Sequence, residues 1–306
     1  MSTVHDLIVI GTGIAGLSAV RHACQSGLAT ATLEAGFFGG LVLNINHLDG
    51  EPSGSGSELA SNLMMEVCDL GAQQIDAAAT GMAREGDLLR VDTGSDRLRA
   101  RAVIVASGAR IKRLGVPGEA ERIDQGVSQC ADCDGPMYQQ QDVVVVGGGD
   151  AALQEAAVLA GYVRHVHLIH RGATFSARAH LVEQLRGHGN LSIHWHTTVE
   201  AVLGAQGVEA VRLLTRDGQG SDAGSRELAC AAVFAYVGLE PVCEFVPAGI
   251  ARDARGCLVT DSALQTSLPG VFAAGAVRAG CGGTLQHAID DGIAAATAVV
   301  RMLRDD

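Results

Sequence analysis

Of the eight cysteines, only Cys130 and Cys133 stand in a C-x-x-C pattern, and Asp134 follows them directly. Two thiols at that spacing can close into a disulfide and reopen by exchange through a mixed disulfide. Where such a pair starts a helix, unpaired N–H groups and the helix dipole stabilise a thiolate and lower its pKa. An acid next in line can return a proton to a leaving thiolate, and that part is open to Asp134. A single pair is only half of a four-ligand zinc site, so no metal is assigned. The cysteines at 24, 68, 230, 243 and 257 are isolated, as small buried hydrophobes often are. Cys281, in Gly280-Cys281-Gly282-Gly283, is open to a third redox role but reads as a structural residue.

A second kind of chemistry is written in glycine, which supplies 40 of the 306 residues. The apolar run Leu7–Ile10 leads into Gly11-Thr12-Gly13-Ile14-Ala15-Gly16 and then an apolar helix through Ala23. In a G-x-G-x-x-G turn between strand and helix, Gly11 permits the tight turn and Gly13 lets a pyrophosphate approach the backbone. Gly16 lets the helix pack on the strand. Phosphates then rest on unpaired N–H groups at the helix N-terminus. A second strand, Ala29–Leu33, ends at Glu34, the spacing of an acid that grips a ribose hydroxyl.

The pattern recurs 136 positions later. Val143–Val146 precedes Gly147-Gly148-Gly149-Asp150-Ala151-Ala152, a G-x-G-x-x-A turn, and a helix runs on through Glu155 toward Leu159. The strand His165–Ile169 then ends at His170-Arg171 without an acid. A repeat at this distance predicts an α/β chain with two Rossmann-like dinucleotide-binding domains. Two further strands ending in glycine turns, Ala102–Gly108 and Val271–Gly275, flank the second repeat and read as chain crossings. With Pro117-Gly118 and Glu240-Pro241 as linkers, the second domain (116–244) is inserted into the first (1–115 and 245–306). Asp217–Arg226 reads as a polar hairpin tip without chemistry.

Several classes are excluded. The 22 basic and 34 acidic residues give a net charge of −12, the opposite of a nucleic-acid footprint. Lys112 is the only lysine and no GxxxxGK[ST] occurs, which argues against Schiff-base and Walker-type mechanisms. No apolar run reaches 18 residues, so no membrane span is expected. Asp6 and Gly11 interrupt the one early apolar stretch, so the chain reads as cytoplasmic. His165 and His167 alternate along a strand, as His194 and His196 are expected to, so each pair shares a face. Two such ligands without a third make a poor metal site, and these histidines read as structural.

On these residues the chain resembles the low-molecular-weight thioredoxin reductases among the FAD-dependent pyridine nucleotide–disulfide oxidoreductases. The most specific match is Cys130-Ala131-Asp132-Cys133-Asp134-Gly135, just upstream of Gly147–Ala152. Further matches are Ala106-Ser107-Gly108, His170-Arg171, Val237-Gly238-Leu239-Glu240-Pro241 and Gly270–Gly275. The resemblance implies that Gly11, Gly13, Ile14, Ala15, Gly16 and Glu34, with Gly40, Leu41, His47, Gly108, Gly275, Ala276, Thr284 and Leu285, surround FAD. It assigns Gly147, Gly149, Asp150, Ala151, Ala152, His170, Arg171 and Arg178 to a nicotinamide nucleotide. Cys133 would then face the flavin while Cys130 attacks the substrate disulfide. The family's flavin-side residues are altered at four places: Leu41 replaces Gln, His47 replaces Asn and Ala276 replaces Asp. Gly283-Thr284-Leu285 stands for Arg-Gln-Ala.

The activity so implied passes electrons from NADPH or NADH through FAD to Cys130–Cys133. They then go to a thioredoxin-like protein or a small-molecule disulfide, in a homodimer. The altered flavin surroundings keep two alternatives open. One is a dithiol oxidase using oxygen, or a reductase fed by another donor; the other is a non-catalytic flavoprotein redox sensor. The family's His-Arg-Arg with a further Arg four residues on is reduced here to His170-Arg171, with Gly172 and Ser176 in the other Arg positions and Arg178 displaced. Since no acid replaces them, weak discrimination between the nucleotides is expected.

Overall fold

The aliphatic runs that end at glycine turns form the central strands of two parallel sheets. The computed structural model describes residues 4–45, 48, 53–217 and 221–305. The chain divides into two units, Met1–Arg110 with Glu240–Asp306, and Ile111–Leu239. Each division comes a few residues before the boundary read from the proline-bearing stretches. The crossings themselves, Ala109–Ile111 and Leu239–Pro241, are strands that pair with each other, so the chain changes units within a ribbon that includes the expected Glu240-Pro241, while Pro117-Gly118 lies inside the second unit.

In the first unit, strands Gln73–Asp76, Thr30–Glu34, Val4–Ile10, Arg97–Val105 and Val271–Ala273 lie side by side and parallel. Apart from the exposed edge strand Gln73–Asp76, their near-continuous burial is what a sheet covered on both faces requires. A hairpin, Gly81–Glu85 with Leu88–Asp92, adds antiparallel to the early half of Arg97–Val105. One face packs helices Ile14–Gln25, Gly56–Asp69 and Leu285–Asp305 over Leu7, Val9, Ile104 and Phe272. The other face buries Ile8, Ile10, Val103 and Val105 against Leu89, Val246, Ile250 and Leu258.

The second unit repeats the plan on a smaller scale. Strands Leu191–His194, His165–Ile169, Asp142–Gly147, Ala232–Tyr236 and Val127–Ser128 run parallel in that order. Helices Asp150–Ala160 and Ala179–Arg186 cover one face through Leu153, Leu159, Leu181 and Leu185. The antiparallel strands Thr197–Leu203, Ala210–Arg216 and Asp222–Ala229 form a separate sheet, and Val199, Val211 and Leu213 join the core of the opposite face. Of the polar tip expected at 217–226, Asp222–Arg226 belong to strand Asp222–Ala229, and residues 218–220 lie outside the described residues. Among the described residues no helix is long and apolar enough to cross a membrane.

Helix Leu285–Asp305 lies so close to helix Ile14–Gln25 that a Cβ at Gly292 would run into the Ala15 carbonyl and approach the Ala19 nitrogen at 3.1 Å. Backbone on both sides leaves no flexible atom to yield. Gly292→Ala is therefore expected to cost ~1–3 kcal/mol through overpacking. Gly189→Ala, where a Cβ meets nothing within 4 Å, serves as the neutral control. Urea midpoints of the two variants check this, and equal midpoints would contradict it.

Candidate functional site

A cleft of about 400 Å³ opens at the carboxyl ends of the first unit's parallel strands. Gly11 (φ +101°) turns the chain out of strand Val4–Ile10, and a Cβ there would lie 2.5 Å from the Ala106 carbonyl oxygen. A Cβ at Gly16 would run into the Gly11 carbonyl, so this turn and helix close on each other only through glycine. The nearest atom to a Cβ at Gly13 is 3.8 Å away, leaving the space above this residue open. Helix Ile14–Gln25 begins there with no side-chain cap and no acid in its first turn. Its free N–H groups suit an anion.

Glu34 ends its strand beside this turn and is held by four donors. Thr12 gives its N–H and hydroxyl to Oε2 at 2.9 and 2.8 Å, while Ala35 and Gly36 give N–H groups to Oε1 at 2.9 and 3.1 Å. Such a carboxylate is fixed before any ligand arrives. The cleft collects Gly11, Gly13, Ile14, Ala15, Glu34, Gly40, Leu41, Gly108, Gly275, Ala276 and Leu285 from the sequence-derived set. Gly16 packs behind it, and Thr284 instead holds His287 at the start of helix Leu285–Asp305 through a 2.7 Å bond to Nδ1. His47 lies outside the described residues. Phe37 and Phe245, which no motif marked, also line the cleft.

The second glycine turn follows the same design with different electrostatics. Gly147 (φ +154°) leaves room for Tyr236 and Ala152: a Cβ would sit 2.5 Å from the Tyr236 oxygen and 2.6 Å from the Ala152 methyl. The imidazole of His170 covers Gly148, with Nδ1 3.1 Å from the Gly147 oxygen and Nε2 2.9 Å from the Thr174 oxygen. Gly149 precedes helix Asp150–Ala160, again without a side-chain cap. Here an acid occupies the first turn. Asp150 accepts the Arg178 N–H at 2.8 Å and pairs with its guanidinium at 2.7 Å, so its carboxyl lies below the usual range. Ala151 and Arg171 are exposed, and Arg171 makes no ion pair among the described residues. Beside this turn Phe175, Trp195 and His170 form an aromatic cluster, with Phe175 and Trp195 centroids 4.5 Å apart.

Cys130 and Cys133 form a disulfide across 5.3 Å between Cα atoms. Cys130 caps the short helix Ala131–Asp134, and its Sγ accepts the Cys133 N–H at 3.2 Å. Cys133 is exposed, whereas Cys130 and Asp134 are half-buried. One residue that sequence reasoning placed only as helix interior belongs here. Glu155 accepts the Ala131 N–H at 2.9 Å and the Tyr236 hydroxyl at 3.1 Å. Its signal was available: it shares the stripe of Ala152, Ala156 and Leu159, where an acid is out of place. Cys281 is half-buried, and burial pushes its thiol up.

The histidines are placed differently from expectation. His196 has φ +52° in a left-handed turn beyond strand Leu191–His194, so it does not share a strand face with His194. Instead His167 Nδ1 lies 3.2 Å from His194 Nε2, and Arg226 donates to His194 Nδ1 at 3.0 Å. Among the described residues no three His, Cys, Asp or Glu side chains are arranged to hold a metal.

The chain matches the model of the pyridine nucleotide–disulphide oxidoreductases over residues 5–292. It is 38% identical over 302 residues to the thioredoxin reductase of Treponema pallidum, covering 97% of each chain. To that of Listeria innocua it is 35% identical, covering 90% of this chain and 86% of the relative. Among solved structures it is similar to the thioredoxin reductase of Lactococcus lactis, with TM-score 0.91, 30% identity and coverage of 99% of this chain and 100% of that one. The T. acidophilum thioredoxin reductase gives TM-score 0.88 at 29% identity, covering 98% and 99%.

Burial, with His165 and His194 close by, pushes His167 down to about 4. Asp142 acts the other way, and Arg226 adds to the lowering. In the unfolded chain this imidazole takes its proton near the ordinary value of about 6.5. Protons therefore favour unfolding, and stability is expected to fall as pH drops from about 6.5 to about 4, then level off. His167→Gln should flatten that part of the profile. Urea midpoints at pH 7 and 4.5 check it, and identical slopes in both proteins would refute it.

Proposed function

The chain belongs to the pyridine nucleotide–disulphide oxidoreductase family, and from that premise we propose that it reduces a disulfide with electrons from NAD(P)H, by way of FAD and Cys130–Cys133. That it is a flavin-dependent thiol–disulfide oxidoreductase follows from its likeness to thioredoxin reductases along nearly its whole length. The observation that carries the finer reading is the Cys130–Cys133 disulfide at a helix N-terminus, in the unit that bears its own Gly147–Ala152 turn.

The first unit suits FAD. Its open space at Gly13, uncapped helix and prefixed Glu34 match a pyrophosphate followed by a ribose. Bound there, FAD supplies two-electron carriage between a nicotinamide and thiols. The protein's own part is exchange. Reduced Cys130 attacks the substrate disulfide, and the departing sulfur takes a proton from Asp134. Cys133 then attacks Cys130, restoring the pair and releasing the second thiol. The names of the relatives support a thioredoxin-like protein as substrate. By the same resemblance the enzyme works as a cytoplasmic homodimer.

Anaerobic titration of flavin-loaded protein with NADPH or NADH tests this reading. Bleaching of the flavin with the appearance of two thiols at Cys130 and Cys133 is expected. Absence of bleaching, or oxygen uptake driven by a dithiol without nicotinamide, would replace the reductase by the oxidase reading. Cys133→Ser should abolish turnover.

Nucleotide choice follows from the charges around the second turn. Arg171 is an exposed cation without an ion pair among the described residues, Arg178 is shared with Asp150, and Ser176 gives its hydroxyl to the Gly148 oxygen at 3.1 Å. One charge-assisted contact to a 2′-phosphate is worth about 1.5–3 kcal/mol, equivalent to roughly 10- to 150-fold. A modest NADPH preference in kcat/KM is therefore expected, and Arg171→Ala should bring the two nucleotides close to parity. A preference of about a thousandfold would exceed what this single contact supplies.

A further inference from the structure

The exchange chemistry so far makes no use of Glu155. This side chain reaches from helix Asp150–Ala160 to the motif helix, and its single oxygen Oε2 takes both the Ala131 N–H and the Tyr236 hydroxyl. Ala131 immediately follows Cys130, so its N–H is a first-turn donor of the helix that the redox pair opens. A carboxylate thus occupies a donor that would otherwise help stabilise negative charge on the Cys130 sulfur. Among the described residues the groups facing Glu155 offer it no cation. They are Tyr236 from the sheet and Asp132 from the motif helix, with Asp134 acting in turn on Tyr236. Burial raises the Glu155 carboxyl, and the nearby Asp132 adds to this. Burial also raises the Tyr236 hydroxyl, so it stays a neutral donor.

We propose that Glu155 is a positioning residue for the exchange pair, fixing the first turn of its helix through Ala131 while its charge restrains thiolate formation at reduced Cys130. Reduction of the disulfide takes up two electrons and two protons. One proton goes to a motif sulfur, and the Cys130 sulfur and the Glu155 carboxylate compete for the other. A thiolate at Cys130 and a carboxylate at Glu155 disfavour each other, so protonating one acid promotes ionisation of the other. This device rests on Cys130–Cys133 being the exchanging pair. That reading has its own control: the two cysteines must label only after reduction.

The test is the pH profile of Cys130 alkylation by iodoacetamide in flavin-loaded, dithiothreitol-reduced protein, read by peptide mass spectrometry. Glu155→Gln keeps an acceptor for Ala131 but removes the charge. Its profile is expected to move to lower pH by about one unit, a roughly tenfold faster reaction below the wild-type midpoint. A purely structural role predicts the reverse, since loosening the helix start raises the thiol. Tyr236→Phe, which takes a donor from the carboxylate and favours its protonated form, should move the profile the same way by less. It also serves if Glu155→Gln does not fold. A profile unchanged or moved to higher pH in either folded variant overturns the proposal.

Discussion

Gly16 meets the Gly11 carbonyl so closely that no side chain fits between them, and the geometry of the first unit depends on that contact. It brings helix Ile14–Gln25 down onto the end of strand Val4–Ile10, so the free N–H groups of the first turn face the cleft. The buried apolar face of the same helix then seats helix Leu285–Asp305, which itself needs a glycine at 292. Hydrophobic burial supplies the stability, but missing methyl groups decide where the helices sit. In the second unit Ala152 takes the place of Gly16, and the room for its methyl comes from Gly147.

The two turns share a shape and differ in charge. The first helix starts without an acid, and the nearby carboxylate, Glu34, is held in place by Thr12 of the glycine turn and by the Ala35 and Gly36 N–H groups. The second starts with Asp150, whose charge in the first turn of its helix is offset by Arg178. An exposed pair of this kind is worth little in stability, about 0–1 kcal/mol, so it is better understood as local charge balance. That balance consumes the cation which the sequence had offered to the nucleotide. On the proposed reading, the cost of keeping Asp150 neutralised falls on phosphate recognition.

Features legible in the sequence were those carried by neighbours along the chain. Strands ending in G-x-G-x-x-G or G-x-G-x-x-A, the acid at 34 and the cysteine pair at a helix start are all local patterns. Glu155 was hidden because its role exists only once helix Asp150–Ala160 packs on the motif helix, a contact between segments 24 residues apart. The hairpin Gly81–Glu85 with Leu88–Asp92 lacked a long apolar run, and Arg90 instead pairs with Glu85 across the hairpin and with Asp92 along its own strand. His196 misled because periodicity assumes a continuing strand, whereas the chain turns left-handed there. Side chains whose partners lie far off in sequence are where local reading stops.

The departures from the resembling family along this cleft also have a physical logic. Ala276 and Leu285 enter the cleft wall as apolar groups where the resembling family carries polar or small residues. A carboxylate does lie behind this wall: Asp291 accepts the Gly275 N–H at 3.0 Å and binds Arg278 bidentately at 2.7 and 2.9 Å. Both partners are less than 15% exposed, so this acid is committed to holding the turn. Leu285 also begins a helix whose first turn carries no acid, and Leu285 and Ala288 both face the cleft. Two helix starts therefore border one cavity. The Thr284 hydroxyl already takes the His287 N–H at 3.3 Å, whereas the start of helix Ile14–Gln25 has no side-chain cap, so the backbone donors open to the cavity lie beside Gly13, where substitutions at 276 and 283–285 leave them in place. A site built in this way can change its lining residues and still present the donors that an anionic or carbonyl-bearing ligand needs.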